Sequence, residues 1–98
     1  MTQVVENWSM VRGRLEAIYP MGKYVELETT LDAAAPVPGF PNLLAQFIGA
    51  QVCIRVAIAA RLDAGQTFEI RARLAGPGVI WGDTASLRVM PPEGGNGR

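Results

Sequence analysis

The most informative stretch of this chain is TFEIRARLAGPGVIWGD, residues 67–83, where a strand pattern runs into a glycine-rich turn. Apolar and polar residues alternate before the turn: Phe68, Ile70, Ala72 and Leu74 share one face, and Thr67, Glu69, Arg71 and Arg73 share the other. Alternation with period two predicts a strand that buries one face. Gly76, Pro77 and Gly78 supply the turn, and an aliphatic pair then begins a second strand. The stretch therefore predicts a β-hairpin with two arginines on its polar face.

Three upstream segments show the same alternation. They are MVRGRLEAIY at 10–19, KYVELETTLD at 23–32 and QVCIRVAI at 51–58. Gly13 falls on the apolar face of the first, where a strongly bent strand needs a position without a side chain. The hairpin adds two strands, of which the second runs through VIWGDTASLRVM at 79–90. Five strands in 98 residues predict an all-β fold, a closed small barrel that leaves no sheet edge exposed.

The segment between the second and third strands predicts one short α-helix, at about 42–48. Prolines end the preceding strand, and NLLAQFI follows them. Asn42 is an N-cap residue, and Gly49 is suited to the left-handed conformation that ends a helix. The apolar stripe of this helix comprises Leu43, Leu44, Phe47 and Ile48. We expect the helix to cover one end of the sheet.

Length and composition predict a single domain over 1–90. Hydrophobic residues make up 49% of the chain and charged residues 18%, which is typical of a folded protein. The end, PPEGGNGR at 91–98, has no apolar residue to anchor it and is predicted to be a flexible tail. A single cysteine cannot form an internal disulfide, and we see neither a signal peptide nor a run of apolar residues long enough to span a membrane. The expected location is therefore the cytoplasm, away from membranes.

The residue inventory argues against catalysis. The chain has no histidine, which removes Ser-His and Cys-His pairs and imidazole metal sites. Cys53 lies within a strand with no base near it in sequence and is interpreted as a small apolar residue. Glu26, Glu28 and Asp32 share a strand face, but side chains two residues apart are separated by about 7 Å and do not converge on a metal. We expect no enzyme activity, no cofactor and no metal.

Two hairpins carry a resemblance to the OB-fold. VRGRLEAIYPMGKYVELETTL at 11–31 resembles the first OB hairpin, and GQTFEIRARLAGPGVIWGDTASLRV at 65–89 resembles the last. The resemblance implies a five-stranded barrel that holds oligonucleotides with bases stacked on aromatic rings. OB-folds usually place their helix between strands three and four, whereas here it falls between two and three. An SH3-like or other small barrel is the open alternative.

A repeated motif places arginines on two strands. RGRL at 12–15 and RARL at 71–74 each direct two arginines to the polar face. In an OB barrel these strands are antiparallel neighbours. A register that pairs Arg12 with Arg73, and Arg14 with Arg71, would stack four positive charges. That arrangement costs stability unless an anion such as phosphate occupies it.

A slip of two residues gives the second interpretation of the motif. It puts Arg14 across from Glu69, or Arg71 across from Glu16, in a ladder of cross-strand ion pairs. This second register is favoured because proteins usually place opposite charges across a ladder. The net charge of zero gives no long-range attraction to nucleic acid, so any anion site must come from such local clustering.

Aromatic residues near the two hairpin turns favour a binding function. Tyr19 and Tyr24 flank the first turn beside Lys23, and Trp81 follows the last. The predicted function is binding of single-stranded DNA or RNA by a small replication, plasmid or phage accessory protein. The predicted binding residues are Arg12, Arg14, Lys23, Tyr24, Arg55, Arg71, Arg73 and Trp81.

The alternative function is that of a protein-interaction or assembly subunit. QVCIRVAIAA at 51–60 is apolar enough on both faces to suggest an interface, including that of a homodimer. The helix at 42–48 and the proline-rich segment before it would add contacts. Under this alternative the barrel binds a protein partner and no nucleic acid.

Overall fold

The computed structural model of the chain describes residues 5–57 and 62–91. The strands are β1 (Ser9–Pro20), β2 (Val25–Pro36), β3 (Gln51–Val56), β4 (Thr67–Gly76) and β5 (Val79–Val89). They close into a barrel in the order β1-β2-β3-β5-β4. The predicted all-β fold with a closed five-stranded barrel is confirmed. The tail predicted at 91–98 lies, apart from Pro91, outside the described residues.

Strand pairing gives the barrel its topology. β1 pairs antiparallel with both β2 and β4, and β4 pairs antiparallel with β5. β3 and β5 are parallel neighbours and close the barrel through two residue pairs, Ile54 with Ile80 and Arg55 with Trp81. The antiparallel contact of β1 with β4 is the neighbour relation expected of an OB-like barrel. The fold is consistent with an OB-like small barrel.

The core fills the barrel with the inward-facing residues of the strands. Phe68 and Ile70 of β4 are fully buried, as are Val11 and Leu15 of β1. The remaining apolar core residues are Leu27, Leu31, Leu44, Ile54, Val56, Leu62, Ala72 and Ile80. Burial of a side chain of this size contributes about 1.5–3 kcal/mol, so these residues provide the main driving force for closure.

Gly13 lies where β1 bends against β2. The β1–β2 register shifts between Arg12 and Gly13, and again between Leu15 and Ala17. A Cβ atom at Gly13 would collide with the side-chain methyl group of Thr29 and would lie 2.8 Å from the Thr30 carbonyl oxygen. The prediction that this position needs no side chain is confirmed, and its cause is the close approach of β1 to these two residues of β2.

The short helix forms in the expected place but is a 3-10 helix, Leu43–Phe47, rather than an α-helix. Asn42 gives it no side-chain cap, because its amide donates to the Ala34 carbonyl and its amide oxygen accepts from Ser9. Gly49, with φ of +89°, ends the segment in the left-handed conformation as predicted. The helix contacts β1, β2 and β4.

The apolar stripe of this helix is shorter than predicted. Leu44 is buried in the core, and Phe47 packs partly against it. Ile48 is 49% exposed and does not belong to the stripe, because the 3-10 helix ends before it. In the described parts of the chain, no helix has the length and apolarity needed to cross a membrane.

Candidate nucleic-acid interface

A row of outward-facing side chains crosses four strands of the barrel. Glu26 of β2 is opposite Arg55 of β3, and Arg55 is opposite Trp81 of β5. Trp81 is in turn opposite Arg73 of β4. Residues that face each other across a ladder place their side chains on the same surface. The row therefore brings together three of the predicted binding residues, which are far apart in sequence.

Tyr24 joins this row from the end of the first turn. Its ring lies edge-on to that of Trp81, with centroids 5.4 Å apart. The Arg55 guanidinium carbon is 4.9 Å from the Tyr24 centroid and 6.0 Å from that of Trp81, which are cation–π distances. We call Tyr24, Arg55, Trp81 and Arg73 the arginine–aromatic band. Lys23 is exposed in the turn directly before it.

The two arginines of the band differ in their charge partners. Arg55 donates from Nε to the Glu26 carboxylate at 3.3 Å, which fixes the guanidinium beside the two rings. Arg73 is exposed and forms no ion pair within residues 5–57 and 62–91. Arg73 thus supplies the positive charge of the band, whereas the Glu26 carboxylate neutralises much of the charge of Arg55.

The β1–β4 register corrects both interpretations of the arginine motif. Arg12 lies opposite Glu69, so the stack of four arginines does not form. The two slipped pairs proposed from the sequence are also wrong, because Arg14 faces Thr67 and Arg71 faces Met10. The physical reason is that the observed register pairs Arg12 with Glu69 and sets no arginine of β1 opposite an arginine of β4, whereas either slipped register would do so.

Ion pairs between arginines and carboxylates are nevertheless present on the outer surface of the barrel. The Glu69 carboxylate accepts from Arg12 at 3.4 Å and from Arg88 at 3.0 Å. Arg14 donates to Glu16 at 3.3 Å. A hydrogen bond from the Thr30 hydroxyl, at 2.8 Å, and the charge of Arg14 lower the pKa of Glu16. Arg12 and Arg14 therefore lie in ion pairs outside the band.

Arg71 has neighbours that the sequence analysis missed. Its guanidinium carbon lies 5.0 Å from the centroid of the Trp8 ring, and its Nη2 is 3.7 Å from the Asp83 carboxylate. Trp8 comes just before β1 and is half-buried. The sequence pattern could have indicated this position of Trp8. Trp8 and Met10 extend, towards the N-terminus, the alternation that places Arg12 on the outer face.

Cys53 lies on the outer surface of β3, opposite Glu28. It is exposed, and its interpretation as a small residue without a catalytic role stays a prediction. Partial desolvation, followed by the charges of Glu26 and Glu28, raises the pKa of the thiol. A protonated thiol is a poor nucleophile. Within residues 5–57 and 62–91, no group of three or more His, Cys, Asp or Glu side chains is arranged to hold a metal ion.

The third strand presents its apolar side chains mainly to the core. Ile54 and Val56 are buried, whereas the outward Gln51 and Cys53 are exposed polar or small residues. Residues 58–60 of the proposed interface strand lie outside the described residues. The homodimer interface on this strand stays a prediction.

The chemistry of the band suits a ligand with flat, apolar rings and negative charges. Aromatic rings stack against nucleic-acid bases, and guanidinium groups donate to phosphate oxygens. Comparison of the chain with protein-family models, with curated proteins and with solved structures gives no match. The function must therefore be inferred from the surface itself.

Proposed function

We propose that this protein is a non-catalytic module that binds single-stranded nucleic acid across the arginine–aromatic band. The observation that carries the proposal is the position of Trp81, which has Arg55 opposite it on one side and Arg73 on the other. A base stacked on such a ring has guanidinium groups within reach of its flanking phosphates. Unpaired bases expose their faces for stacking, and this favours a single strand over a duplex.

The charge distribution predicts moderate, salt-sensitive affinity. Glu26 neutralises much of Arg55, so Arg73 and the nearby Lys23 carry most of the attraction to phosphate. Each phosphate contact on a single strand contributes about −0.7 to the slope of log affinity against log salt. A module of this kind suits an accessory role in replication, on a plasmid or in a phage, where partners help to hold it on the strand.

The test is a fluorescence-anisotropy titration with a labelled oligothymidylate of about 12 nucleotides, a length within the site sizes of small barrels. We expect Trp81→Ala to weaken binding by about 1–3 kcal/mol, the usual contribution of one stacked base. Arg73→Gln should weaken binding and also flatten the salt dependence. Arg88→Gln is the matched control, because Arg88 is an exposed arginine whose partner is Glu69, away from the band. No binding by the unaltered protein at low salt would refute the proposal.

An assembly role is the second candidate, and a specific observation favours it. Ile18, Tyr19 and Met21 are large apolar residues at the first hairpin, with exposed fractions of 36%, 47% and 47%. Exposed apolar groups of this kind are common at protein interfaces. Multi-angle light scattering tests self-association: a concentration-dependent dimer that Met21→Lys disrupts would support this role, and a strict monomer would exclude self-association.

A further inference from the structure

The chain before β1 continues the ladder between β1 and β4. The Asn7 side chain donates to the Leu74 carbonyl and accepts from the Leu74 amide, both at 2.9 Å. Asn7 is only 1% exposed, so these bonds are shielded from water. Since Ser9 pairs with Ala72, Trp8 falls next to Arg73 in the same register. The side chain of Asn7 thus fixes Trp8 against β4.

The arginines of the described residues divide into two groups by their bonding. Those that donate a hydrogen bond to a carboxylate are Arg12, Arg14, Arg55 and Arg88. Within residues 5–57 and 62–91, the side chains of Arg71 and Arg73 make no such bond. Both belong to β4, and they lie between Trp81 on one side and Trp8 on the other.

Arg71 is held beside the Trp8 ring and makes only a long ion pair with the Asp83 carboxylate. The Trp8 ring lies 5.0 Å from its guanidinium, and the Asp83 carboxylate is 3.7 Å away, beyond hydrogen-bond distance. Its Nε is buried with no hydrogen-bond partner among the described residues, yet the side chain as a whole is 43% exposed. The buried Nε is out of reach of a ligand, but the exposed end of this oriented side chain can donate to a phosphate oxygen.

We propose that Trp8 and Arg71 form a second contact zone for the same nucleic-acid strand, in which Trp8 stacks a base and Arg71 binds a phosphate. This inference rests on the proposed function and extends the site from the band to the start of β1. Trp81 and Trp8 are separated by β4, which is two strand spacings or about 10 Å. A stacked strand advances about 3.4 Å per nucleotide, so the two rings contact bases about three nucleotides apart.

Tryptophan fluorescence tests the two zones separately, because the chain contains two tryptophans. Trp81→Phe leaves Trp8 as the reporter, and Trp8→Phe leaves Trp81. We expect an oligothymidylate of about 12 nucleotides to quench both reporters at the same midpoint concentration. Quenching of Trp81 without Trp8 would overturn the second zone and leave the proposed function standing. If neither tryptophan is quenched, the second contact zone and the proposed function are both overturned.

Affinity measurements on the same oligonucleotide test the chemistry assigned to each residue. We expect Trp8→Leu, which keeps an apolar side chain without a ring, to weaken binding about tenfold, whereas Trp8→Phe retains most of the affinity. Arg71→Gln should reduce the salt slope by about 0.7. Arg88→Gln, the control, should change neither quantity, and thermal melting of each variant verifies folding. Equal affinity of Trp8→Leu and Trp8→Phe, or an unchanged slope for Arg71→Gln, would overturn the zone.

Discussion

At the scale of single residues, backbone proximity explains the glycine in β1. The Thr30 carbonyl oxygen lies where a Cβ of Gly13 would meet it, at 2.8 Å. Phe68 lies opposite Gly13 on the other neighbouring strand. The glycine permits the close approach of β1 to β2 at the point where the β1–β2 register shifts.

Gly13→Ala is expected to lower the free energy of unfolding by about 1–3 kcal/mol, the usual cost of inserting a methyl group into a packed site. Urea denaturation measures the change. Gly76→Ala is the matched control, since a Cβ at Gly76 would have its nearest neighbour at 4.0 Å and the backbone needs no positive φ. Equal stability of the two variants would show that the close approach at Gly13 does not constrain the barrel.

At the scale of elements, alternation predicts strands and faces but leaves the register open. In the β1–β4 ladder Val11 faces Ile70, and a slip of two or four residues would still pair apolar with apolar. Charge narrows the choice, because the observed register pairs Arg12 with Glu69 and sets no arginine of one strand opposite an arginine of the other. The slipped registers proposed from the sequence would put Arg12 opposite Arg71, or Arg14 opposite Arg73. This difference appears only when every pair of the ladder is compared.

The members of the arginine–aromatic band could be predicted from the sequence, but their convergence could not. Tyr24, Arg55, Arg73 and Trp81 were predicted because each lies on a polar strand face or beside a turn. Their convergence depends on the parallel contact of β3 with β5, which local patterns do not encode. Trp8 was missed although it continues the alternation of β1, because its place beside Arg71 depends on the pairing with β4 that the Asn7 side chain extends.

The first hairpin carries a pH-sensitive link between its strands. The Tyr19 hydroxyl donates to the Glu28 carboxylate at 2.9 Å, and this bond and the carboxylate charge raise the pKa of Tyr19. Because folding raises the pKa of Tyr19, this hydrogen bond stabilises the folded state fully at pH values below the unfolded-state pKa of about 10. The stabilisation is lost as the pH rises through the folded-state pKa.

Glu28→Gln should lower the pKa of Tyr19 towards its usual value. The measurement is the phenolate absorbance during an alkaline titration, carried out in a Tyr24→Phe background. The chain contains two tyrosines, so this background isolates Tyr19. An identical titration midpoint with and without Glu28→Gln would show that the carboxylate does not interact with the phenol in solution.

At the scale of the whole molecule, the net charge is zero, but the charges are distributed unevenly over the surface. Most of the described arginines form ion pairs with nearby carboxylates, whereas Arg71 forms only a long one with Asp83 and Arg73 forms none within the described residues; both lie on β4. Ion pairs elsewhere on the barrel reduce its general attraction to polyanions. Binding is then confined to one surface and depends on stacking as much as on charge.

The central claim is that the arginine–aromatic band binds a single strand, and amide chemical-shift mapping tests it most directly. Unlabelled oligothymidylate of about 12 nucleotides is added to the ¹⁵N-labelled protein at low salt. We expect the largest shifts at the backbone amides of Tyr24, Arg55, Arg73 and Trp81 and at the Trp81 indole, with small shifts at Arg12 and Arg88. Shifts centred on Arg12 and Arg88, or no shifts at all, would contradict the claim.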